Sequence, residues 1–386
     1  MRKVAVIGIG QTRVAENWDK SLRELAGDAI LAALQDAHLS TADAFYLGNM
    51  MSSSANNQQN LGAYVTDWVG ARGAESIRVE SACSSGAAAF RAAVLAVASG
   101  EINIAVAAAV EKMTDSPGAE TTAYLATAAD ADWEVDHGVS FVALNALIMQ
   151  RYMHEYGWAH QDFANFSINA HQNAINNPYA MFHMPISQDK FDRSPLICDP
   201  LTLLDASPIG DGAAAAVIVP LESQFLSSPQ KRIIVTASSA ASDTIAVHAR
   251  KDPLWLSAAE KSAKLAYDQA GVTPQDIDLF EYHDAFTIMA SLSLEACGFA
   301  ERGQAPKLAL ENEIAIESRI PVATMGGLKA RGHPVGATGL FQLVEVIQQL
   351  RGQAGANQVP NAVFGMAQNI GGSGSNIITH ILTNAS

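Results

Sequence analysis

The segment Leu34-Gln-Asp-Ala-His-Leu-Ser-Thr-Ala-Asp43 has a counterpart at Tyr267-Asp-Gln-Ala-Gly-Val-Thr-Pro-Gln-Asp276, 233 positions later. In both copies a helical pattern stops at an alanine, a turn follows, and an aspartate precedes an apolar run. Other landmarks keep the same order: Lys3 to Ile9 (KVAVIGI) opens one half, and Lys231 to Ala237 (KRIIVTA) opens the other. Within the first copy, residues 3–9 read as a buried strand, and Leu22, Leu25, Ala26, Ala29, Ile30, Ala33 and Leu34 recur at helical spacing. Two copies of one strand-and-helix unit must fold alike and bury their apolar faces together, so an α/β architecture of two pseudo-symmetric layered halves is expected.

The 386 residues are 49% hydrophobic and 16% charged, which suits a globular chain with room for two such halves. The halves are expected at 1–225 and 226–386. From about 114 to 208 the composition shifts to aromatic, His, Met and Asn residues, as in RYMHEYGWAHQDFANFSINAHQNAINNPYAMFHMP, with no counterpart in the second half. An insertion of that length reads either as a functional lid or as packing over a sheet edge.

A formal net charge of -15, with no basic cluster, excludes a nucleic-acid footprint. Cys83, Cys198 and Cys297 are too few and too scattered for a disulfide framework or a zinc site. The apolar run before Gln11 is too short for a secretory core, and Arg91 and Glu101 interrupt the stretch from Gly86 to Val110, so no membrane insertion and a cytoplasmic location are expected. Gly8-Ile-Gly10 lacks the third glycine and the immediate helix of a dinucleotide fingerprint.

Four stretches carry chemistry. Val79-Glu-Ser-Ala-Cys83-Ser-Ser-Gly86 leads into an almost wholly apolar helix reaching Ser99; a thiol at a helix start faces free N–H groups that favour its thiolate, and Ser84, Ser85 and Gly86 leave room for a substrate carbonyl. Met325-Gly-Gly-Leu-Lys-Ala-Arg-Gly332-His333-Pro-Val-Gly-Ala-Thr-Gly339 precedes a helix to about Leu350, and by the duplication His333 stands where Cys83 stands in the first half. A histidine beside a cysteine is the base that converts thiol to thiolate. Leu279-Phe-Glu-Tyr-His283-Asp-Ala285-Phe is a strand ending in polar residues, where ligand groups gather in α/β sheets. Met366-Ala-Gln-Asn369-Ile-Gly371-Gly372-Ser-Gly374 reads either as an oxyanion-binding glycine loop or as a turn between strands.

SACSSGAAA, EYHDAF, GHPVGATG and NIGGSGS, with VEKMTD and LLDASPIGDGAAA, resemble the motifs of the thiolase superfamily in order and at nearly full length, and HDAF resembles its sterol-carrier-protein-like and archaeal-type acetyl-CoA acetyltransferase branch. The resemblance implies a thiolase fold of five α-β-α-β-α layers with a loop domain over the site, assembled as a homodimer or homotetramer. It implies acyl-CoA substrates, with coenzyme A part of the substrate and no further cofactor or metal. By position it makes Cys83 the acyl acceptor, His333 both its activator and a stabiliser of an enolate oxygen, and His283 a donor at the enolate oxyanion hole. The N–H groups of Cys83 and Gly371 would hold the acyl oxygen, and Asn369 and Gly332 would lie along the bound substrate.

One departure stands out. Thiolases commonly place a second cysteine where this chain has Asn369, or, in sterol-carrier-type members, where it has Ala285. An amide cannot remove an α-proton, so His283 or His333 must do so, or the ordinary condensation does not run. The archaeal-type branch, which also lacks that cysteine, implies acetoacetyl-CoA formation with a small OB-fold partner protein. Two alternatives remain: a subunit of a heteromeric acyl-CoA complex with altered chemistry such as retro-aldol cleavage, and a ketoacyl-synthase-like enzyme, which would need a basic face for an acidic carrier protein.

Overall fold

The computed structural model describes residues 2–222 and 232–384; the expected boundary at 225/226 and Lys231 lie outside them. The first half runs β1 (Val4–Gln11), α1 (Leu22–Asp36), β2 (Ala44–Gly48), α2 (Ser52–Ala55), α3 (Leu61–Trp68), β3 (Glu75–Val79), α4 (Ser85–Ser99) and β4 (Ala105–Glu111). An insertion follows with α5 (Gly118–Ala126), α6 (Phe141–Tyr156), α7 (Ala164–Ala174), α8 (Gln188–Asp192) and the ribbon β5 (Leu196–Cys198) and β6 (Leu201–Thr202), before β7 (Gly212–Pro220) closes the half. The second half runs β8 (Ile233–Ser242), α9 (Ser257–Ala270), β9 (Leu279–Glu281), α10 (Thr287–Ala296), α11 (Ala305–Leu310), α12 (Thr338–Arg351), β10 (Phe364–Gly371) and β11 (Asn376–Thr383).

The duplication is visible in the strand order, β3-β2-β4-β7-β1-β8-β11-β10-β9. Each half places its first strand at the join, its last strand next to that, and its parallel pair outermost. The outermost place of the second half holds only a bridge between Phe280 and Val322, where the first half has β3. The halves meet through β1 and β8 at two residue pairs, Ala5 with Ile234 and Val6 with Ile233.

Side-chain alternation along the strands builds the layers. On β4 and β7, Val106, Ala108, Val110, Ala213, Ala215 and Val217 pack against α1, whereas Ala105, Ala107, Ala109, Ala214, Ala216 and Ile218 turn to the opposite face, toward α4 and α12. On β10 and β11, Met366, Ile370, Ile377 and Ile381 face the side of α9 and α10, and Ala367 and Leu382 face α12. The fold is therefore outer helices, sheet, the central pair α4 and α12, sheet, outer helices. By composition alone Ala82–Ser99 could cross a bilayer, with mean hydropathy 1.4. Its apolarity is instead that of a helix enclosed between sheets, and Arg91, the charge within it, donates to Ser238 O on β8.

Two glycines bring the central helices together at their first turns. A Cβ on Gly86 would lie 2.9 Å from Gly336 O and 3.0 Å from Leu340 N, and one on Gly339 would lie 2.5 Å from Ala87 N. Gly86 thus serves helix contact, where the sequence suggested room for a substrate carbonyl. The result is that the loops preceding α4 and α12 share one floor.

Candidate active site

Cys83 is presented by a turn tied together with hydroxyls. Ser85 Oγ accepts from Ser81 N at 2.9 Å and donates to Ala82 O at 2.6 Å, and Ser84 Oγ donates to Ser81 O at 2.6 Å. Between them Ala82 has φ +49°, a left-handed conformation that costs a non-glycine residue about 1–2 kcal/mol. Strain of this kind persists where surrounding bonds over-determine it, and here it directs the next side chain into the site. The N–H groups of Cys83 itself and of Gly372 point at the sulfur. The helix start does not lower this thiol's pKa, as the sequence suggested. Although Cys83 keeps some exposure, desolvation and then the Glu111 carboxylate push it up to about 12, since burial outweighs a helix-end effect of order 1 kcal/mol. The resting group is a thiol.

His283 follows β9 at the carboxyl edge of the sheet, and His333 lies in the loop before α12. A nitrogen of each imidazole and the Cys83 sulfur all lie within 4.8 Å of one another. The two rings stand edge to face, with centroids 5.1 Å apart and planes at 84°. Both imidazoles are neutral. Burial, then the charge of Arg331, lowers His283 to about 3, and burial, then His283 and Arg331, lowers His333 well below its ordinary value. Arg331 is itself buried in an ion pair with Glu345 at 2.8 Å. By residue type a thiol and two imidazoles would suit a zinc ion as well as nucleophilic catalysis. What backs each ring bears on that choice: His333 Nδ1 lies 2.7 Å from Thr338 Oγ1, and His283 Nδ1 lies 3.0 Å from Asn369 Nδ2.

Cys83, His283, His333 and Gly372 border a cavity of about 380 Å³. The insertion supplies its apolar roof through Leu125, Phe141, Val142 and Leu203, and Phe286 and Met289 come from the second half. The same insertion also clamps the fold. Asn169, Asn173 and Asn177 donate to the carbonyls of Val322, Ala323 and Met325 at 3.1, 3.0 and 2.8 Å, which accounts for its asparagine content. Lid and packing element are one structure.

The three remaining site residues fall elsewhere than expected. Asn369 is buried within β10, behind His283, and is not among the residues bordering the cavity. Gly371 packs against the Cys83 turn, where a Cβ would meet Ser81 O at 2.6 Å, and it is Gly372 whose N–H reaches the sulfur. Gly332, at φ +109°, backs onto Val14 and Met181 and serves the loop that delivers His333. Sequence reading passed over Gln342, Thr338, Glu111 and Arg331. Thr338, five residues after His333 at the next helix start, carried the one local signal. Glu111 accepts from the N–H groups of Met50 and Met51, and burial pushes it up to about 7. Asp211, in the DGAAA string, accepts from Met113 N at 2.6 Å and pairs with Lys112 at 2.9 Å, so it ties that string to VEKMTD.

Residues 4–222 match the family model described as thiolase, N-terminal domain, and residues 239–384 match thiolase C-terminal domain-like. An acetyl-CoA acetyltransferase of Methanothermobacter thermautotrophicus is 43% identical over 99% of this chain and 100% of its own length. One from Methanocaldococcus jannaschii is 37% identical over 99% of each. A solved structure titled Ltp2-ChsH2(DUF35) aldolase superposes with a TM-score of 0.86 at 25% identity, covering 99% of this chain and 97% of that one.

Proposed function

The chain belongs to the thiolase family and is a thiolase-like acyl-CoA acyltransferase; we propose that acyl transfer runs through Cys83, with His333 as its base. The carrying observation is the pairing of this thiol with a neutral imidazole whose far side is already committed. Thr338 Oγ1 donates to Pro334 O at 3.2 Å, so it accepts the Nδ1 proton of His333 and leaves Nε2 bare. The Cys83 proton passes to that Nε2 while sulfur attacks the thioester carbonyl. The carbon–sulfur bond to CoA breaks, and the departing thiolate takes the proton from His333. The N–H groups of Cys83 and Gly372 hold the carbonyl oxygen. In the second half-reaction an α-proton of another acyl-CoA moves to a base and the carbanion attacks the Cys83 thioester. A carbon–carbon bond forms, and Cys83 leaves as thiolate and is reprotonated.

Coenzyme A is part of the substrate, no separate cofactor or metal takes part, and the protein works in the cytoplasm as a homodimer or homotetramer. A small partner protein is supported by the likeness to the Ltp2-ChsH2(DUF35) assembly, which also supports retro-aldol cleavage as a second reading. That chemistry needs no acyl-enzyme. Exchange of labelled CoA into acetyl-CoA does need one, and it needs no α-proton removal. Exchange by the wild type, reduced roughly 10⁴-fold or more in Cys83→Ala, is the result expected; absence of exchange would move the assignment to the aldolase reading.

A further inference from the structure

We propose that Gln342 and Asn369 are positioning residues that hold His283 as its Nε2–H tautomer, so that His283 donates to a substrate oxygen and His333 Nε2 serves as the base in both half-reactions.

Gln342 is fixed first. Its Nε2 faces three backbone carbonyls, donating to Tyr282 O at 2.7 Å, Gln368 O at 3.2 Å and Glu281 O at 3.3 Å. A turned amide would set its oxygen against all three, so Oε1 must point the other way. It accepts there from Asn369 Nδ2 at 2.8 Å. That fixes Asn369 in turn, because its own reversal would bring Oδ1 against Gln342 Oε1. The second N–H of the same Nδ2 is aimed at His283 Nδ1, 3.0 Å away. An N–H cannot face an N–H, so Nδ1 carries a lone pair and the single proton of the neutral ring sits on Nε2.

The arrangement has a cost that marks its direction. Asn369 Oδ1 is buried with no hydrogen-bond partner, a bond that the side chain gives up while both of its N–H groups are engaged. His333 is backed by a hydroxyl acceptor and has the opposite tautomer. Two adjacent imidazoles of the same charge are thus given opposite roles by what lies behind them. The amide at 369 moves no proton; it determines which histidine can. A ring protonated at Nε2 is also no metal ligand through that atom, so the backing residues favour catalysis over a zinc site.

The tautomer assignment stands on these hydrogen bonds, whereas the substrate oxygen and the part of His333 in two half-reactions rest on the thiolase reading. Histidine-selective ¹⁵N labelling of the full chain, with His283 and His333 resonances assigned by their loss in His283→Gln and His333→Gln, tests it. Wild-type His283 should show a pyridine-like Nδ1 and a pyrrole-like Nε2, and His333 the reverse. Asn369→Asp, whose carboxylate can only accept, should move the His283 proton to Nδ1; Gln342→Leu, which frees the amide to turn, should give a tautomeric mixture. Asn369→Asp should lower kcat for condensation about 10²-fold, the loss typical of an oxyanion donor, with KM and CoA exchange much less affected. A wild-type His283 protonated at Nδ1, or averaging between tautomers, overturns the inference without any variant. If the tautomers are as stated and CoA exchange is absent, the thiolase reading fails and the tautomer assignment stands.

Discussion

The turn that carries Cys83 and the loop that carries His333 occupy matching places in the two halves, yet the Cys83 turn and the surroundings of the two histidines are built from different materials. Around Cys83 the supports are serine hydroxyls and backbone groups. Around the histidines a hydroxyl and an amide touch the rings, and buried ionisable side chains lie beyond them: Arg331 paired with Glu345, Asp284 accepting from Leu328 N, and Lys329 reaching Asp205 O. The difference follows from what each group must do. A sulfur that loses its proton only when an imidazole takes it needs placement, and small neutral groups suffice. Imidazoles that must stay uncharged near neutral pH are held so first by burial and then by the fixed positive charge of Arg331. Duplication set where the catalytic groups stand, and divergence of the supporting residues set what they can do.

The contrast can be tested at several strengths. The largest effect belongs to the base itself: His333→Ala should slow CoA exchange by roughly 10²- to 10⁴-fold with little change in substrate KM, and an unchanged rate would remove His333 from the first half-reaction. Next comes stability. Arg331→Gln strands the buried Glu345 carboxylate and should cost about 3–5 kcal/mol, whereas Ser84→Ala removes two neutral hydrogen bonds, both to Ser81, and should cost about 1–2 kcal/mol. Urea denaturation of both variants measures the gap, and equal losses would erase the distinction between the two kinds of support.

A smaller effect is expected from pH. Both imidazoles are held below their ordinary range and the Cys83 thiol is pushed up to about 12, so falling pH does not charge the histidines, and rising pH does not form the thiolate, anywhere near neutrality. Ionisation of Cys83 or of either histidine should therefore leave no step in acylation from about pH 6.5 to 9; the buried Glu111 carboxyl, held at about 7, is the group beside Cys83 whose titration falls in that window. A bell-shaped profile inside that window would mean a resting thiolate–imidazolium pair. The smallest change expected is from Ala82→Gly, where relief of the φ +49° strain and the added chain entropy nearly cancel, leaving less than about 1 kcal/mol. Ala82→Val should destabilise by more, because a β-branched side chain tolerates that backbone poorly.

Much of this frame could be read from the sequence. Helical spacing from Leu22 gave α1 to within a residue of its end, the apolar run after Cys83 gave α4, and the repeat gave two like halves, though not their strand order. The motif residues Cys83, His283 and His333 do converge. What escaped was anything set by distance across the fold. Gln342 shares its helix face with the buried polar residues Thr338, Glu345 and Gln349, and nothing local shows that it is the one that meets three carbonyls at the end of β9 and on β10. Asn369 was read as part of a loop because glycines follow it, whereas it lies inside β10 and only the turn after it is glycine-built. Gly371 and Gly372 differ by one position in a tight turn, and only the backbone geometry decides which N–H reaches the sulfur. The thiol's direction of shift was misjudged because the sequence displays a helix start but not how deeply it is enclosed.

The account depends most on an acyl group passing through Cys83. Mixing the wild type with acetyl-CoA, quenching in acid within the first turnovers and mapping the digest by mass should reveal one acetylated peptide, the one containing Cys83, with Cys198 and Cys297 unmodified. Acetylation at another residue, or release of product with no acetyl on Cys83 at any quench time, would contradict it.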